Sequence, residues 1–172
     1  MKLINFKKIE LRDKNLIYNW RTKHFVKKFL QKKTIDRSKH DKWFKKKLRS
    51  KKFSAWTIIY NGNKIGLIQV DSLRKKKICN AGYYIAYTRY SYLTYEIMIN
   101  LHNFIFNQLK FNIIESYISI LNKNIRKLNK MNGYKEVKKE KINEVFLKTF
   151  LTKKLWEKST AFKKLKKKDG KI

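Results

Sequence analysis

The stretch from residue 79 to residue 109 constrains the fold of this chain more than any other. Its first part, CNAGYYIAY, is an apolar and aromatic run with the length and composition of a buried strand. A strand that leads through a short loop into a helix leaves unpaired N–H groups at the helix start, and these attract phosphate. The stretch therefore predicts an α/β protein whose chemistry lies at the loop TRYSY. The helix that follows, from Thr94, carries apolar residues at helical spacing, namely Ile97, Leu101, Phe104, Ile105 and Leu109.

The rest of the chain alternates strand and helix patterns, which predicts a mixed central sheet of about six to seven strands flanked by about four helices. Asp36 is suited to cap a helix, Asn61-Gly62 is a strong hairpin signal, and Gly66 suits a bulge or a close backbone approach. Asn132-Gly133 tolerates the left-handed conformation that ends a helix. The domain is expected to span residues 1–155, followed by a Lys-rich tail at 156–172. In chain order the predicted elements are strand 3–6, helices 16–30 (broken near 22–24) and 34–49, strands 53–60, 64–71 and 79–87, helix 94–109, strand 112–121, helix 123–131, and strands 134–137 and 145–151, with charged turns at 74–77 and 138–144.

The formal net charge of +33, from 45 Lys and Arg against 12 Asp and Glu, allows two interpretations. A basic surface collects phosphates, which would favour a nucleic-acid-binding domain. However, the chain is also rich in Ile, Asn, Tyr and Phe, with 0 Pro and 5 Gly, which is the composition that A/T-rich codons produce. The basic residues are spread over every segment, so we attribute the charge to composition and do not expect nucleic acid as the partner. Such a surface should still favour anionic substrates such as nucleotides.

The remaining composition argues against several classes of protein. No apolar run is long enough to span a membrane, and the first residues lack the apolar segment of a signal peptide. The single Cys79 cannot form an intrachain disulfide, so we expect a cytoplasmic location. His24 and His102 are expected at the surface or on a helix face, and the His and Cys spacing predicts no metal site. The sequence contains no P-loop, nucleophile elbow or dinucleotide fingerprint.

Four segments between residues 9 and 155 together resemble the GNAT superfamily of N-acetyltransferases. Trp20-Arg21 in LIYNWRT is similar to a WR signature in the first helix, and His40 with Trp43-Phe44 is similar to an H-x-x-W-F helix. The hairpin WTIIYNGNKIGLIQV resembles a strand pair of the family, and NKNIRKLNKMNGY resembles its closing motif. Within the superfamily the chain is similar to the branch that acts on ribosomal-protein termini, nucleotide-linked amino sugars and similar small amines. It most resembles the acetyltransferases of flagellin sugar biosynthesis, which act on a UDP-linked amino sugar.

This resemblance implies the GNAT fold and an N-acetyltransferase that uses acetyl-CoA as acyl donor. Acetyl-CoA would lie along splayed strands before and after the central helix, with its pyrophosphate on loop N–H groups at the helix start. The acceptor, a small amine such as a UDP-linked amino sugar, would attack the thioester directly while a strand N–H polarises the carbonyl. A base would remove the amine proton, and an acid would protonate the thiolate. A homodimer is compatible with this resemblance.

The resemblance also implies the site residues, in three groups. The expected cofactor-binding residues are Tyr84, Ile85, Ala86, Arg89, Tyr90, Ser91, Tyr92, Leu93, Thr94, Asn122 and Asn129. The expected substrate-binding residues are Trp20, Arg21, His40 and Gln69. The expected catalytic residues are His40, Asp71 and Tyr95.

The chain departs from the family pattern in two places. Tyr92 and Thr94 stand where the family's cofactor loop has small residues, so Tyr92 adds bulk where the phosphates should pass. Asn129 stands where the family usually has a Tyr acid, and an Asn side chain has no proton to give at neutral pH. Either the thiolate leaves unaided, or a nearby Tyr such as Tyr90, Tyr92 or Tyr95 substitutes, or activity is lost. In the last case the chain would be a GNAT-fold binding protein.

Each candidate outside the loop also has a structural interpretation. Arg21 binds an anionic substrate, or it caps a helix beside a core Trp20. His40 contacts the substrate or acts as a base, or it packs on an aromatic helical face. Asp71 accepts a proton, or it is a solvated strand end. Asn122 bonds the amides of the cofactor, or it caps the helix that follows.

Overall fold

The computed structural model describes residues 4–28, 30, 35–73, 77–142 and 145–168. Within these residues the order of the elements agrees with the predicted order. Some predictions lie outside the described residues, namely the first-strand residue 3, residues 29 and 31–34 near the ends of the two first helices, residues 74–76 and 143–144 of the charged turns, and residues 169–172 of the tail.

Seven strands of the described residues form a mixed sheet, which confirms the predicted α/β class. In chain order they are β1 (Ile4–Lys8), β2 (Phe53–Tyr60), β3 (Asn63–Ser72), β4 (Ile78–Ile85), β5 (Ile113–Ser119), β6 (Lys135–Ile142) and β7 (Phe146–Thr152). Their order across the sheet is β1-β2-β3-β4-β5-β7-β6. The β4–β5 pair is parallel, whereas the β1–β2, β2–β3, β5–β7 and β6–β7 pairs are antiparallel.

The helices in the described residues agree with the prediction at 123–131 and are shorter than predicted at 94–109. They are α1 (Lys14–Thr22), α2 (His24–Lys27), α3 (Arg37–Arg49), α4 (Thr94–Asn103), α5 (Lys123–Met131), α6 (Lys153–Lys158) and α7 (Thr160–Lys168). The break between α1 and α2 at Lys23 is the break that the sequence predicts. The predicted central helix ends its α-helical part at Asn103 and continues as a π-helical segment, Phe104–Gln108. Short 3-10 helices cover Leu11–Asp13 and Thr88–Leu93.

The chain divides into two compact units. The first comprises Met1–Ser72 and Ala81–Ile97, and the second comprises Leu73–Asn80 and Met98–Ile172. The core of the first unit includes Ile9, Ile17, Trp20, Phe44, Ala55, Leu67 and Ala86. Buried residues of the second unit include Leu101, Ile105, Phe106, Ile114, Leu151, Trp156 and Ala161.

Local sequence signals account for several turns and caps. The Asp36 carboxylate accepts a hydrogen bond from the backbone N–H of Lys39 at 2.9 Å and so caps α3, as predicted. Asn61 and Gly62 both have positive φ, at 48° and 76°, as a tight turn between β2 and β3 requires. Gly133 follows α5 with a φ of 89°, which is the left-handed conformation that ends a helix.

Gly66 lies where β3 comes close to β4. A Cβ atom at this position would lie 2.2 Å from the carbonyl oxygen of Tyr84, so only glycine fits here without a backbone shift. The β2–β3 register shifts next to this residue, between Ile58 and Ile59. Both features predicted for Gly66, the bulge and the close approach, are therefore present.

Two predictions about the last third of the chain need correction or refinement. The segment 138–144 is not a charged turn throughout, because β6 extends to Ile142 and places residues 138–142 in the strand.

Helix α6 runs across residue 155, where the domain is expected to end, and Trp156 and Ala161 are 1% and 0% exposed. The start of the Lys-rich end is therefore packed into the second unit, because its Trp and Ala provide an apolar face.

His102 lies in the core of the second unit and not at the surface. It is 1% exposed, and its Nε2 lies 3.1 Å from the Tyr134 hydroxyl. The Trp156 ring packs against its imidazole edge to face, with the ring centroids 4.8 Å apart. Burial lowers the pKa of His102 to about 3, because the charged imidazolium would be desolvated. His102 is therefore neutral in the folded chain.

We expect His102 to make the folded chain less stable as the pH falls below about 6.5. In that range the unfolded chain binds a proton at His102 and the folded chain does not, so stability is fully present above the unfolded pKa and is lost as the pH falls toward the folded pKa. From pH 7 to pH 5 this amounts to about 2 kcal/mol for a His with an unfolded pKa of about 6.5. Urea unfolding at both pH values measures the decrease in the free energy of unfolding from pH 7 to pH 5. This decrease should be smaller in His102→Gln than in the unmodified protein by about 2 kcal/mol. The matched control is His24→Gln, which makes the same substitution at an exposed His.

Candidate active site

The end of β4 is held against β3 by its backbone. The N–H of Ala86 donates to the carbonyl of Ile65 at 2.7 Å, and the carbonyl of Ala86 accepts a hydrogen bond from Lys23 Nζ at 3.1 Å. The backbone groups of successive strand residues point to opposite edges of the strand. Because Ala86 faces β3, the N–H of Ile85 faces the other edge. Ile85, and not Ala86, therefore offers the N–H that could polarise a carbonyl group.

The predicted loop between β4 and α4 is a 3-10 helix, Thr88–Leu93, that runs directly into α4. The N–H of Tyr90 donates to the carbonyl of Tyr87 at 3.0 Å, and the N–H of Thr94 donates to the carbonyl of Ser91. These two N–H groups are therefore used inside the helical turn. The first N–H groups of a helix have no partner within it. The N–H groups suited to phosphate therefore belong to Thr88 and Arg89, at the start of the 3-10 helix, and not to the start of α4. Both residues are exposed, and Arg89 adds a positive charge, so this end of the element fits a pyrophosphate.

Tyr92 extends into solvent. Its side chain is 65% exposed, and its hydroxyl lies 3.4 Å from the Tyr60 hydroxyl. This hydrogen bond with Tyr60 raises the pKa of Tyr92, so the phenol keeps its proton. The Tyr90 ring packs edge to face against the rings of Tyr60 and Tyr87, with centroid distances of 6.0 and 6.2 Å. The guanidinium of Arg89 lies 5.0 Å from the Tyr90 ring centroid, which holds this cation at the surface of the turn.

Tyr95 lies in the first turn of α4 and carries a buried hydroxyl. No described residue forms a hydrogen bond with this hydroxyl. Burial raises the pKa of Tyr95, because the charged phenolate would be desolvated. At neutral pH, Tyr95 therefore holds a proton that no other described residue accepts.

Trp20 is a core residue. It is 1% exposed, and its indole N–H donates to the Tyr87 hydroxyl at 3.2 Å. The arrangement favours the structural interpretation of Trp20, since its one polar atom is already bonded inside the first unit. The sequence does not reveal Tyr87 as its partner, although Tyr87 ends the aromatic run CNAGYYIAY.

Arg21, the next residue along α1, is only half-buried. Its guanidinium stacks on the Trp43 ring, with Cζ 4.3 Å from the ring centroid. Desolvation lowers the pKa of Arg21, but a guanidinium stays charged at any physiological pH. No hydrogen bond or ion pair links the Arg21 side chain to any residue that the structure describes.

His40 packs among aromatic rings on α3. It is 2% exposed, with its ring 5.2 Å from Tyr18 and 5.5 Å from Trp43 between centroids. Its Nε2 lies 3.2 Å from the carbonyl oxygen of Lys14, so Nε2 carries the proton and donates to that oxygen. Burial lowers the pKa of His40, which keeps the ring neutral. This geometry favours the structural interpretation of His40.

Asp71 and Gln69 lie at the end of β3 and are half-buried. The carboxylate of Asp71 accepts a short hydrogen bond from Lys47 Nζ, and the Lys47 side chain is 4% exposed. Burial lowers the pKa of Lys47, whereas its hydrogen bond with Asp71 opposes this effect. The sequence shows Lys47 only as one member of a Lys run, so this pairing could not be predicted. Asp71 is therefore not a freely solvated strand end.

The two asparagines belong to the second unit. The Oδ1 of Asn122 accepts a hydrogen bond from the backbone N–H of Ile125 at 3.2 Å, which caps α5. Asn129 is 6% exposed, and its backbone carbonyl accepts hydrogen bonds from the backbone N–H groups of Asn132 and Tyr134. Asn122 thus has the helix-capping role that the sequence allows.

The described residues contain neither a membrane-spanning helix nor a cluster of metal ligands. Their helices are too short or too polar to cross a membrane. The described side chains include no group of three His, Cys, Asp or Glu residues that could hold a metal ion.

A family model described as acetyltransferase (GNAT) domain matches residues 4–135, which is more than half of the chain. No curated protein sequence matches the chain.

Solved structures share the fold at low sequence identity. An uncharacterized protein from Bacillus halodurans has a TM-score of 0.81 and 16% identity, over 99% of this chain and 93% of that chain. Spermidine N-acetyltransferase from Vibrio cholerae, in complex with CoA and spermine, has a TM-score of 0.75 and 12% identity, over 89% of this chain and 97% of that chain. The N-acetyltransferase PseH from Campylobacter jejuni, in complex with acetyl coenzyme A, has a TM-score of 0.66 and 19% identity, over 88% of this chain and 99% of that chain. At these identities the likeness shows the fold alone.

We expect Arg21→Met to leave the melting temperature unchanged or to raise it by about 2–4 °C. A half-buried charge without a partner is unfavourable, and Met can keep the packing against Trp43. The matched control is Arg37→Met, because Arg37 also stacks on a ring, 4.5 Å from the Tyr18 centroid, but bonds Asn15 and pairs with Asp41. Arg37→Met should lower the melting temperature in the same thermal unfolding experiment. A loss of stability in Arg21→Met as large as in the control would contradict the prediction.

Proposed function

This chain belongs to the GNAT family of acetyltransferases, and we propose that it transfers an acetyl group from acetyl-CoA to the amino group of a small molecule. The observation that carries the proposal is the end of β4 with the helical turn that follows. This segment offers the N–H of Ile85, which faces the edge of β4 away from β3, the exposed turn start at Thr88 and Arg89, and the protonated hydroxyl of Tyr95.

The donor would be held by residues of this segment. Thr88 and Arg89 would bind its pyrophosphate through backbone N–H groups and the guanidinium. The N–H of Ile85 would polarise the acetyl carbonyl. When bound, acetyl-CoA supplies an acetyl group activated as a thioester. The exposure of Tyr92 supports this assignment, because its bulk extends into solvent.

Tyr95 is proposed as the general acid, in the role that the family usually gives to a Tyr at the position of Asn129. Its hydroxyl holds its proton at neutral pH because burial raises its pKa. For the base, Asp71 is the better candidate of the two predicted, since its side chain is 26% exposed whereas His40 is 2% exposed. Lys47 would orient the Asp71 carboxylate.

The acceptor is proposed to be a small amine, with a nucleotide-linked amino sugar as the first candidate. The resemblance of the WR and H-x-x-W-F segments to the amino-sugar branch supports this choice, as does the strongly basic character of the chain. Gln69, at the same strand end as Asp71, is proposed as an acceptor contact.

A second candidate is a GNAT-fold binding protein without catalysis. Asn129 in place of the usual Tyr, together with the N–H groups used inside the 3-10 turn, favours this alternative. A titration of the donor and an acid variant distinguish the two functions.

Calorimetric titration of acetyl-CoA at moderate salt, beside desulfo-CoA and ATP, tests the donor. Acetyl-CoA and desulfo-CoA should bind with micromolar dissociation constants, and ATP should bind at least about tenfold more weakly. Equal affinities for all three polyanions would mean that they bind by nonspecific charge attraction, and this result would contradict the proposal.

The variant Tyr95→Phe tests catalysis once a small-amine acceptor has been found by screening. It should bind acetyl-CoA as the unmodified protein does, while kcat falls by about 100-fold, because a general acid contributes about that factor. Tyr18→Phe, which also removes a single phenolic hydroxyl in the first unit, is the control and should leave kcat within twofold. If the unmodified protein binds acetyl-CoA but acetylates no amine in a broad screen, the binding-protein alternative is preferred.

A further inference from the structure

Arg21 carries a half-buried positive charge that no described carboxylate balances. Five of the six acidic residues of the first unit have other partners or roles, and the sixth, Glu96, is exposed and interacts electrostatically with Tyr92. Asp13 pairs with Lys64, Asp41 with Lys14 and Arg37, Asp71 with Lys47, Glu10 with Lys7 and Arg12, and Asp36 caps α3. A desolvated charge is costly unless it is paired or hydrogen-bonded. The position of Arg21 is therefore suited to a counter-ion that the chain does not supply.

A second unused donor is Tyr84, which packs against the same core cluster as Trp43, the ring on which Arg21 stacks. The hydroxyl of Tyr84 is buried and forms no hydrogen bond within the part of the chain that the structure describes. Burial raises the pKa of Tyr84, while the positive charge of Arg21 opposes that shift, so the two groups interact electrostatically. A buried hydroxyl without a partner is unfavourable in the same way as an unpaired charge. Both groups would be satisfied by a single acceptor of hydrogen bonds.

The surrounding charges add to this preference. The Trp43 ring stacks on one face of the Arg21 guanidinium. The N–H groups at the edges of the guanidinium therefore remain available. Lys47 and Asp71 cancel each other, and the buried His40 is neutral. Neither the Lys47–Asp71 pair nor His40 therefore balances the positive charge of Arg21, whose guanidinium has a planar, two-pronged geometry. That geometry matches phosphate and carboxylate.

We propose that Arg21 and Tyr84 bind a phosphate or carboxylate group of the acceptor molecule. This inference rests on the proposed function, and it narrows the acceptor class to amines that also carry an acidic group. Purely cationic amines, such as polyamines, are disfavoured, because they would bring positive charge to an unpaired guanidinium. In this role Arg21 determines acceptor specificity and is not itself a catalytic residue.

The test observes the Arg Nε–H signals of the ¹⁵N-labelled full chain by NMR at moderate salt, which screens the surface lysines. Methyl phosphate and acetate are titrated separately, so that the two oxyanion classes are distinguished. The Arg21 signal is assigned by its absence in Arg21→Gln. We expect it to shift in a saturable way with at least one of the two anions, at concentrations about tenfold lower than those that move the other Arg signals.

Three variants and one independent readout complete the experiment. Because the Arg21 variants lack the Arg21 signal, binding of the same anions to every variant is measured by calorimetry. Arg21→Lys should weaken the binding by about tenfold, because it keeps the charge but loses the planar guanidinium. Tyr84→Phe should weaken it by a similar factor, whereas Arg49→Gln, which removes an exposed charge, should leave it within twofold. An Arg21 signal that moves no more than that of Arg49, or equal weakening in Arg21→Gln and Arg49→Gln, overturns the inference. Acetyl-CoA affinity is measured in parallel: if it is retained while Arg21 binds no anion, only this inference fails, and if it is absent in the unmodified protein, the proposed function fails.

Discussion

The close approach of β3 to β4 at Gly66 fixes the position of the segment on which the proposed chemistry depends. Because residue 66 has no side chain, the Tyr84 carbonyl can lie against its backbone. The next pairing along, from the Ala86 N–H to the Ile65 carbonyl, then determines which edge of β4 each backbone group faces. As a result, the N–H of Ile85 faces the edge of β4 that lies away from β3. The orientation of the proposed carbonyl-binding group is thus set by a residue on the neighbouring strand.

Signals that act over a few residues could be predicted from the sequence. Asn61-Gly62, Asp36 and Gly133 each impose a backbone conformation or satisfy an N–H group within three or four residues, so their effects need no tertiary information. The α/β class also follows from such signals, since strand and helix periodicities are local, whereas the family is inferred from the resemblance of its motifs. These features agree with the structure because the tertiary packing does not compete with them.

Features that depend on distant partners could not be predicted. His102 has the spacing of an ordinary helix-face residue, but Trp156 covers it from a segment 54 positions later in the sequence. The ion pair of Asp71 joins it to one lysine among many, and only the packing of α3 selects Lys47. The 3-10 turn at Thr88–Leu93 likewise replaces a predicted loop, because five residues without Gly or Pro can continue a helical turn into α4.

The scarcity of carboxylates shapes the chemistry of this chain. The chain has 12 acidic residues for 45 basic ones, and five of the six acidic residues in the first unit either pair with basic side chains or cap a helix. A general base is therefore drawn from a group that already has a structural partner, as Asp71 has. Arg21, in contrast to Asp71, has no partner of opposite charge among the described residues. Such unpaired cations are expected in a chain whose basic residues outnumber its acidic ones.

Strand β1 is the outermost described strand on its side of the sheet. An edge strand presents N–H and C=O groups that could pair with another copy of the chain. Three of the five residues of β1, Asn5, Lys7 and Lys8, are exposed and polar. Two copies that met along this edge would bring lysines of each chain together, and their repulsion would oppose intermolecular sheet formation. Because salt screens such repulsion, protection against aggregation through β1 is an electrostatic property that weakens as ionic strength rises.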